Sequence, residues 1–118
     1  MEIKSFRDLV VWQKSMDLVE RVYEITAQRP RSEQFGLSIQ LRRAAVSIPS
    51  NIAEGHARKT GYYLNHLNMA LGSQAELQTQ LELAHRLRFV DRERVAPVME
   101  AASQVAKMLH RLVASLNR

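Results

Sequence analysis

The side chains able to do metal or acid–base chemistry in this 118-residue chain are four histidines and twelve carboxylates. Glu82-Leu83-Ala84-His85 has the Glu-x-x-His spacing, which on a helix brings a carboxylate and an imidazole to one face and makes half of a carboxylate-bridged di-iron site. The second such unit is absent from the chain. His56, His66 and His110 form no i, i+4 pair with one another or with His85, so each reads as a surface or interhelical histidine rather than a metal ligand. Cysteine is absent, which excludes thiolate metal sites and disulfides and is compatible with a reducing compartment. Ser47 and Ser50 beside Asn51 and His56 supply hydroxyls, an amide and an imidazole, but a helical setting lacks the strained turn that exposes a nucleophilic serine. Gly36, Gly55, Gly61 and Gly72 are too dispersed for a phosphate-binding loop or a dinucleotide fingerprint. The expectation is a protein with no enzymatic activity, no cofactor and no metal.

Charge is the other chemical resource. The formal net charge is +5 and the isoelectric point about 10.1, a balance that favours polyanions as ligands. Arg29 and Arg31 follow the first helical segment, and Arg86, Arg88, Arg92 and Arg94 surround the break between the third and fourth. In an up-down-up-down bundle those two connections share one end, so the six arginines form a rim, offset only in part by Glu33, Asp91 and Glu93. Guanidinium suits phosphate geometry better than ammonium does. Solvation and the helix dipole also collect basic groups at helix ends, and Phe89 is the sole aromatic in this rim able to stack on a base.

The elements that position these groups are helices. Hydrophobic residues make up 46% and charged residues 25% of the chain, a globular balance, and four Gly and three Pro leave few turn signals. Residues 1–118 form one domain of a size that holds its own core. The first helix spans about Asp8 to Gln28, with Leu9, Trp12, Met16, Val19 and Tyr23 as its core seam. Arg29-Pro30-Arg31-Ser32 breaks it, and the second helix follows to about Arg58, with Ser32 able to cap it. There Leu37, Leu41, Ala44, Ile48 and Ile52 face a core, while Gln40, Arg43, Ser47, Asn51 and Glu54 form a polar stripe. Pro49 cannot donate to the Ala45 carbonyl and predicts a kink. The third helix spans about Tyr62 to Phe89, with Tyr63, Leu67, Ala70, Leu77, Leu81 and Ala84 on one stripe interrupted by Gln74. Asp91 caps the fourth, in which Val95, Val98, Ala102, Val105, Leu109, Leu112 and Leu116 alternate by three and four. The fold class is all-α, an up-down-up-down four-helix bundle with its second helix kinked at Pro49.

Two surfaces need partners. Val11, Leu18, Val22 and Ile25 lie outside the first helix's seam and are read as an oligomer face, a deep position in a single bundle being the alternative. Arg43, Asn51, Glu54 and Glu76, with Gln80, are read as a buried polar network between the second and third helices, where Gly72 and Ser73 permit close approach. A small-molecule pocket built from the same groups is the functional alternative. Arg42 lies off that stripe and points to solvent or across a subunit boundary.

Four runs carry a family resemblance: FRDLVVWQKSMDLV at 6–19, FGL at 35–37, QLRRAAVSIPSNIAEG at 40–55 and LNMALGSQAELQTQLELA at 67–84. Together they resemble the four-helix-bundle family of 23S rRNA-intervening-sequence proteins. The resemblance implies a compact bundle assembling as a ring, typically a homopentamer. It also extends to the accessory protein of diversity-generating retroelements, which binds a reverse transcriptase and nucleic acid, and so implies such partners here. No apolar run approaches a membrane span, and MEIKSFRDLV lacks a secretory signal's apolar stretch, which points to the cytoplasm. The function expected is an oligomeric helical scaffold that binds RNA or DNA electrostatically. The competing expectation is a protein-binding adaptor ring with no direct nucleic-acid contact.

Overall fold

A computed structural model describes residues 2–27, 36–58 and 61–117 of the chain. A 3-10 turn at Phe6–Asp8 leads into α1 (Val10–Thr26), α2 (Leu37–Arg58), α3 (Gly61–Arg86) and α4 (Arg92–Leu116), and no strand occurs among the described residues. Each helix packs chiefly on two others: α1 on α2 and α4, and α3 on α2 and α4. The four therefore stand at the corners of a bundle, with α1 diagonal to α3, in a body of 44 × 24 × 21 Å. The expected all-α four-helix bundle holds. α2 runs as one helix through the buried Pro49, and the Ser50 hydroxyl donates to the Val46 carbonyl one turn back, 2.8 Å away.

Three of the four stripes face inward as their spacing predicts. Leu41, Ala44, Ile48 and Ile52 of α2, Leu67, Ala70, Leu77, Leu81 and Ala84 of α3, and Val95, Val98, Ala102, Val105 and Leu109 of α4 are all buried. Gln74 is buried among them because its amide donates to the Ala102 carbonyl at 3.0 Å, tying α3 to α4.

α1 is turned the other way from its expected orientation. Val11, Leu18, Val22 and Ile25 are the buried residues, at 6%, 0%, 0% and 6% exposure, so the side read as an oligomer face belongs to the monomer's own core. Met16 and Tyr23 of the expected seam are 41% exposed, and Leu9, Trp12 and Val19 only partly buried. Bulk and polarity decide between the two stripes. The inward stripe is completed by Ser15, whose hydroxyl donates to the Trp12 carbonyl at 2.8 Å and so enters the core satisfied and small. Trp, Met and Tyr are too large for the narrow centre, and tyrosine's hydroxyl needs water or a partner.

Side chains fix the 3-10 turn that leads into α1 and the C-terminal end of α1 itself. Ser5 accepts from the Arg7 amide at 3.0 Å, and the Asp8 carboxylate accepts from the amides of Lys4 and Ser5 at 2.9 and 3.1 Å, a capping box. Those two amides hold the Asp8 carboxyl below its ordinary value. At the other end Thr26 donates to the Val22 carbonyl at 2.7 Å and accepts from Arg42 Nε at 2.8 Å. The Arg42 guanidinium also lies 4.3 Å from the Tyr23 ring centre, so it clamps α2 to α1 instead of pointing away from the bundle.

Gly55 and Gly72 have opposite roles. A Cβ on Gly55 would lie 2.7 Å from the Cβ of His66 and 3.2 Å from the Tyr63 carbonyl, whereas one on Gly72 would meet nothing within 4 Å. The close approach of α2 and α3 is thus made at Gly55, and Gly72 has no part in it. Gly55→Ala should cost about 1–3 kcal/mol by overpacking, while Gly72→Ala should gain about 0.5–1 kcal/mol from helix propensity; urea unfolding midpoints measure both. Because Asp8's carboxyl is lowered in the folded state, its cap is fully present above the ordinary carboxylate value and lost as pH falls through the lowered one. Amide exchange at Lys4 and Ser5 should quicken over that acid range, and Asp8→Asn should abolish the pH dependence.

Candidate nucleic-acid interface

The break between α3 and α4 is a tight turn built on a left-handed arginine. The Phe89 amide donates to the Ala84 carbonyl at 2.8 Å and the Arg88 amide to the His85 carbonyl at 3.0 Å, the paired bonds of a Schellman motif. Arg88 occupies the position where glycine is usual, with φ of 65°, and α3 consequently stops three residues short of the expected Phe89. Val90 is buried beneath the turn and Phe89 is half-buried. Asp91 stands at the N-cap of α4, though its side chain makes no capping hydrogen bond.

This geometry leaves Arg86, Arg88, Arg92 and Arg94 exposed around one short connection. Arg86 stands 3.7 Å from Glu82 on the preceding turn, an exposed pair of small energetic weight. Asp91 and Glu93 are the carboxylates within the stretch. The structure thus brings together four of the six rim arginines. Arg29 and Arg31 lie outside the described residues.

The polar stripe between α2 and α3 takes a different form from the expected buried network. Arg43, Glu54 and Glu76 are exposed, and Asn51 is half-buried. Asn51 donates to the Ser47 carbonyl at 2.9 Å, and its Oδ1 lies 3.1 Å from Nδ1 of His66, with Glu54 3.8 Å from the same nitrogen. The Ser47 and Ser73 hydroxyls meet at 2.8 Å, and Gln80 donates to Glu76 at 3.1 Å. Long charged side chains at the rim of a helix pair remain in water because burial would strip their hydration without full repayment. The buried members are Gln80, 6% exposed, and the interhelical His66, 8% exposed. The one sequence signal of His66 is Gly55, a residue small enough to let a ring from α3 reach α2.

Other candidate groups are occupied separately. Glu82 serves Arg86, and His85 Nδ1 lies 3.5 Å from the Val90 carbonyl. His56 meets the Tyr63 ring edge-on at 5.5 Å, and burial pushes the Tyr63 hydroxyl above its ordinary pKa. Among the described residues no group of three or more His, Asp and Glu side chains converges as a metal site, and no helix is long and apolar enough to cross a membrane. The feature that sequence reasoning misplaced is a groove along α1 and α2, lined by Phe6, Trp12, Met16, Val19, Val46 and Pro49, which holds about 420 Å³. Its signal was α1's second apolar stripe, assigned to the wrong side.

Fold and surface together define a small helical bundle with a basic turn and a polar interhelical seam. The family model for the 23S rRNA-intervening sequence protein matches residues 7–111, and the chain belongs to that family. Among solved structures it is similar to a protein of unknown function from the S23 ribosomal protein family of Bacteroides thetaiotaomicron. The two share 26% identity and a TM-score of 0.82 over 89% of this chain and 96% of that one. No curated protein matches.

A left-handed residue with a Cβ carries a backbone cost of roughly 1–2 kcal/mol that glycine does not. Arg88→Gly should therefore raise stability by about 1 kcal/mol in chemical denaturation. An unchanged or lowered midpoint would mean that the arginine side chain stabilises the turn by itself.

Proposed function

We propose that this protein is a non-catalytic, multi-subunit helical scaffold of the cytoplasm that binds nucleic acid electrostatically, with the α3–α4 turn as the binding edge. The observation that carries this reading is the cluster of four exposed arginines on one short turn in a chain of net charge +5. Three neighbouring carboxylates, Glu82, Asp91 and Glu93, leave the cluster in net positive excess, and the Schellman bonds fix the backbone of the turn that carries Arg88. Guanidinium groups held this way suit phosphate oxygens, and such contacts are indifferent to base sequence. Repetition around an assembly would multiply a modest charge per chain into a strong field. The family's name ties it to 23S rRNA, which makes RNA the first polyanion to try.

Binding of a labelled single-stranded RNA should weaken steeply with salt. Changing Arg86, Arg88, Arg92 and Arg94 together to Gln should shrink the slope of log affinity against log salt by about 3, the counterion release of four phosphate contacts. Helicity and particle mass should stay as they were. Undiminished binding in that variant would remove the turn from consideration. Salt-insensitive retention of one protein partner, with no RNA bound, would instead favour a protein-binding adaptor.

A further inference from the structure

We infer that a pocket beside the α3–α4 turn takes one unpaired base of a single-stranded RNA, and that the base it selects is guanine. This deepens the nucleic-acid reading above, on which it rests, by naming what the same edge reads besides phosphate.

Glu82 and His85 stand one helical turn apart near the end of α3, and Arg92, Val95, Ala96 and Met99 follow one another along the first turns of α4. Together they line a pocket of about 260 Å³. Its apolar part is the buried Val95 with the half-buried Met99, and its polar edge carries the exposed Glu82 and Arg92. The volume lies below the roughly 300–1,000 Å³ of pockets that hold drug-sized ligands, which suits a single flat ring system. Arg92 belongs at once to the arginine cluster and to the pocket wall. A strand whose phosphates lie along the turn therefore has its bases within reach of the pocket.

The chemistry of the walls decides which part of a nucleotide enters. The Glu82 carboxylate repels phosphate, so the pocket is left to the base. Unstacked RNA bases are held on ring or guanidinium planes and read along their edges, and His85 and Arg92 supply one plane each. His85 Nδ1 lies 3.5 Å from the Val90 carbonyl, which can only accept, so that nitrogen carries the hydrogen and ties the ring to the turn. A carboxylate accepts on two oxygens and donates nothing. Guanine alone among the standard bases presents two neighbouring N–H donors, at N1 and N2, on its pairing edge. The other three set an acceptor beside a single donor group, and a second carboxylate oxygen repels it. Glu82's partner in the free protein is Arg86, 3.7 Å away in an exposed pair of small weight, so exchange costs little. When guanine takes the carboxylate, Arg86 is released to a phosphate, and base and backbone contacts strengthen each other.

Labelled oligouridine and the same strand with one central guanosine differ only at the base in question. At equal salt the full chain should hold the guanosine strand roughly tenfold more tightly, the discrimination expected of a bidentate base contact. Inosine, which lacks the N2 amine, should fall between the two. Glu82→Gln should bring the affinity ratio close to one by removing the second acceptor. Ala96→Leu, which fills the pocket from an exposed position, should do the same, and circular dichroism should show both variants as helical as the parent. Equal, salt-dependent affinity of the parent for both strands would overturn the pocket while leaving the arginine edge standing, and no RNA binding at all would overturn both. A stronger preference for a central adenosine or cytidine, or a guanosine preference that survives either substitution, would also overturn the proposal.

Discussion

A methyl group at position 55 would sit 2.7 Å from the Cβ of His66, and that forbidden distance governs how α2 and α3 meet. Only a glycine lets the His66 ring enter between the helices, where Asn51 takes its Nδ1 and Glu54 stands within 3.8 Å. Further along the same seam, the Ser47 and Ser73 hydroxyls touch at 2.8 Å, a contact that larger side chains would push apart. The seam is closed by short side chains and hydrogen bonds, with the buried Gln80 Oε1 left without a partner. Once α2 and α3 are locked at this distance, Leu41, Ile48 and Ile52 face Leu67, Leu77 and Leu81 across a dry core, and α1 and α4 complete it.

The orientation of α1 follows from what remains. A helix with apolar residues on two sides must choose one, and the space left beside α2 and α4 accepts Val11, Ser15, Leu18, Val22 and Ile25 but not a row containing Trp12, Met16 and Tyr23. The larger residues then lie along the outer edge against α2. There Arg42 covers the Tyr23 ring, Trp12 meets Phe6 at 5.3 Å, and a partly lined apolar groove persists. The groove is the remainder of a packing problem solved for the core.

Periodicity made three helices legible because in α2, α3 and α4 the buried stripe is the more continuous apolar one. The same reasoning failed for α1, where two stripes compete and Ser15 disguises the inward one as polar. Side-chain volume against the space available decides that choice, and a chain of letters does not hold the space. The polar stripe of α2 was legible as a stripe, but Arg43 and Glu54 reach water from positions that look inward-turning on a helical wheel. Where α3 ends was also hidden: nothing in Arg88 advertises a left-handed conformation that most chains give to glycine.

That last residue joins the structural and functional questions. An arginine at a left-handed turn position forgoes the stability a glycine would bring, so the turn sits above its most stable available sequence. Its side chain is exposed, and the Schellman bonds that fix the turn are backbone bonds, available equally to glycine. What arginine adds at this point is an exposed charge on a hydrogen-bonded turn, alongside Arg86, Arg92 and Arg94. A cation held by fixed backbone loses less freedom on meeting a phosphate than one on a mobile loop. On the proposed nucleic-acid reading, the cost in the folded chain and the benefit at a polyanion surface fall on the same residue, as expected where a sequence trades stability for contact.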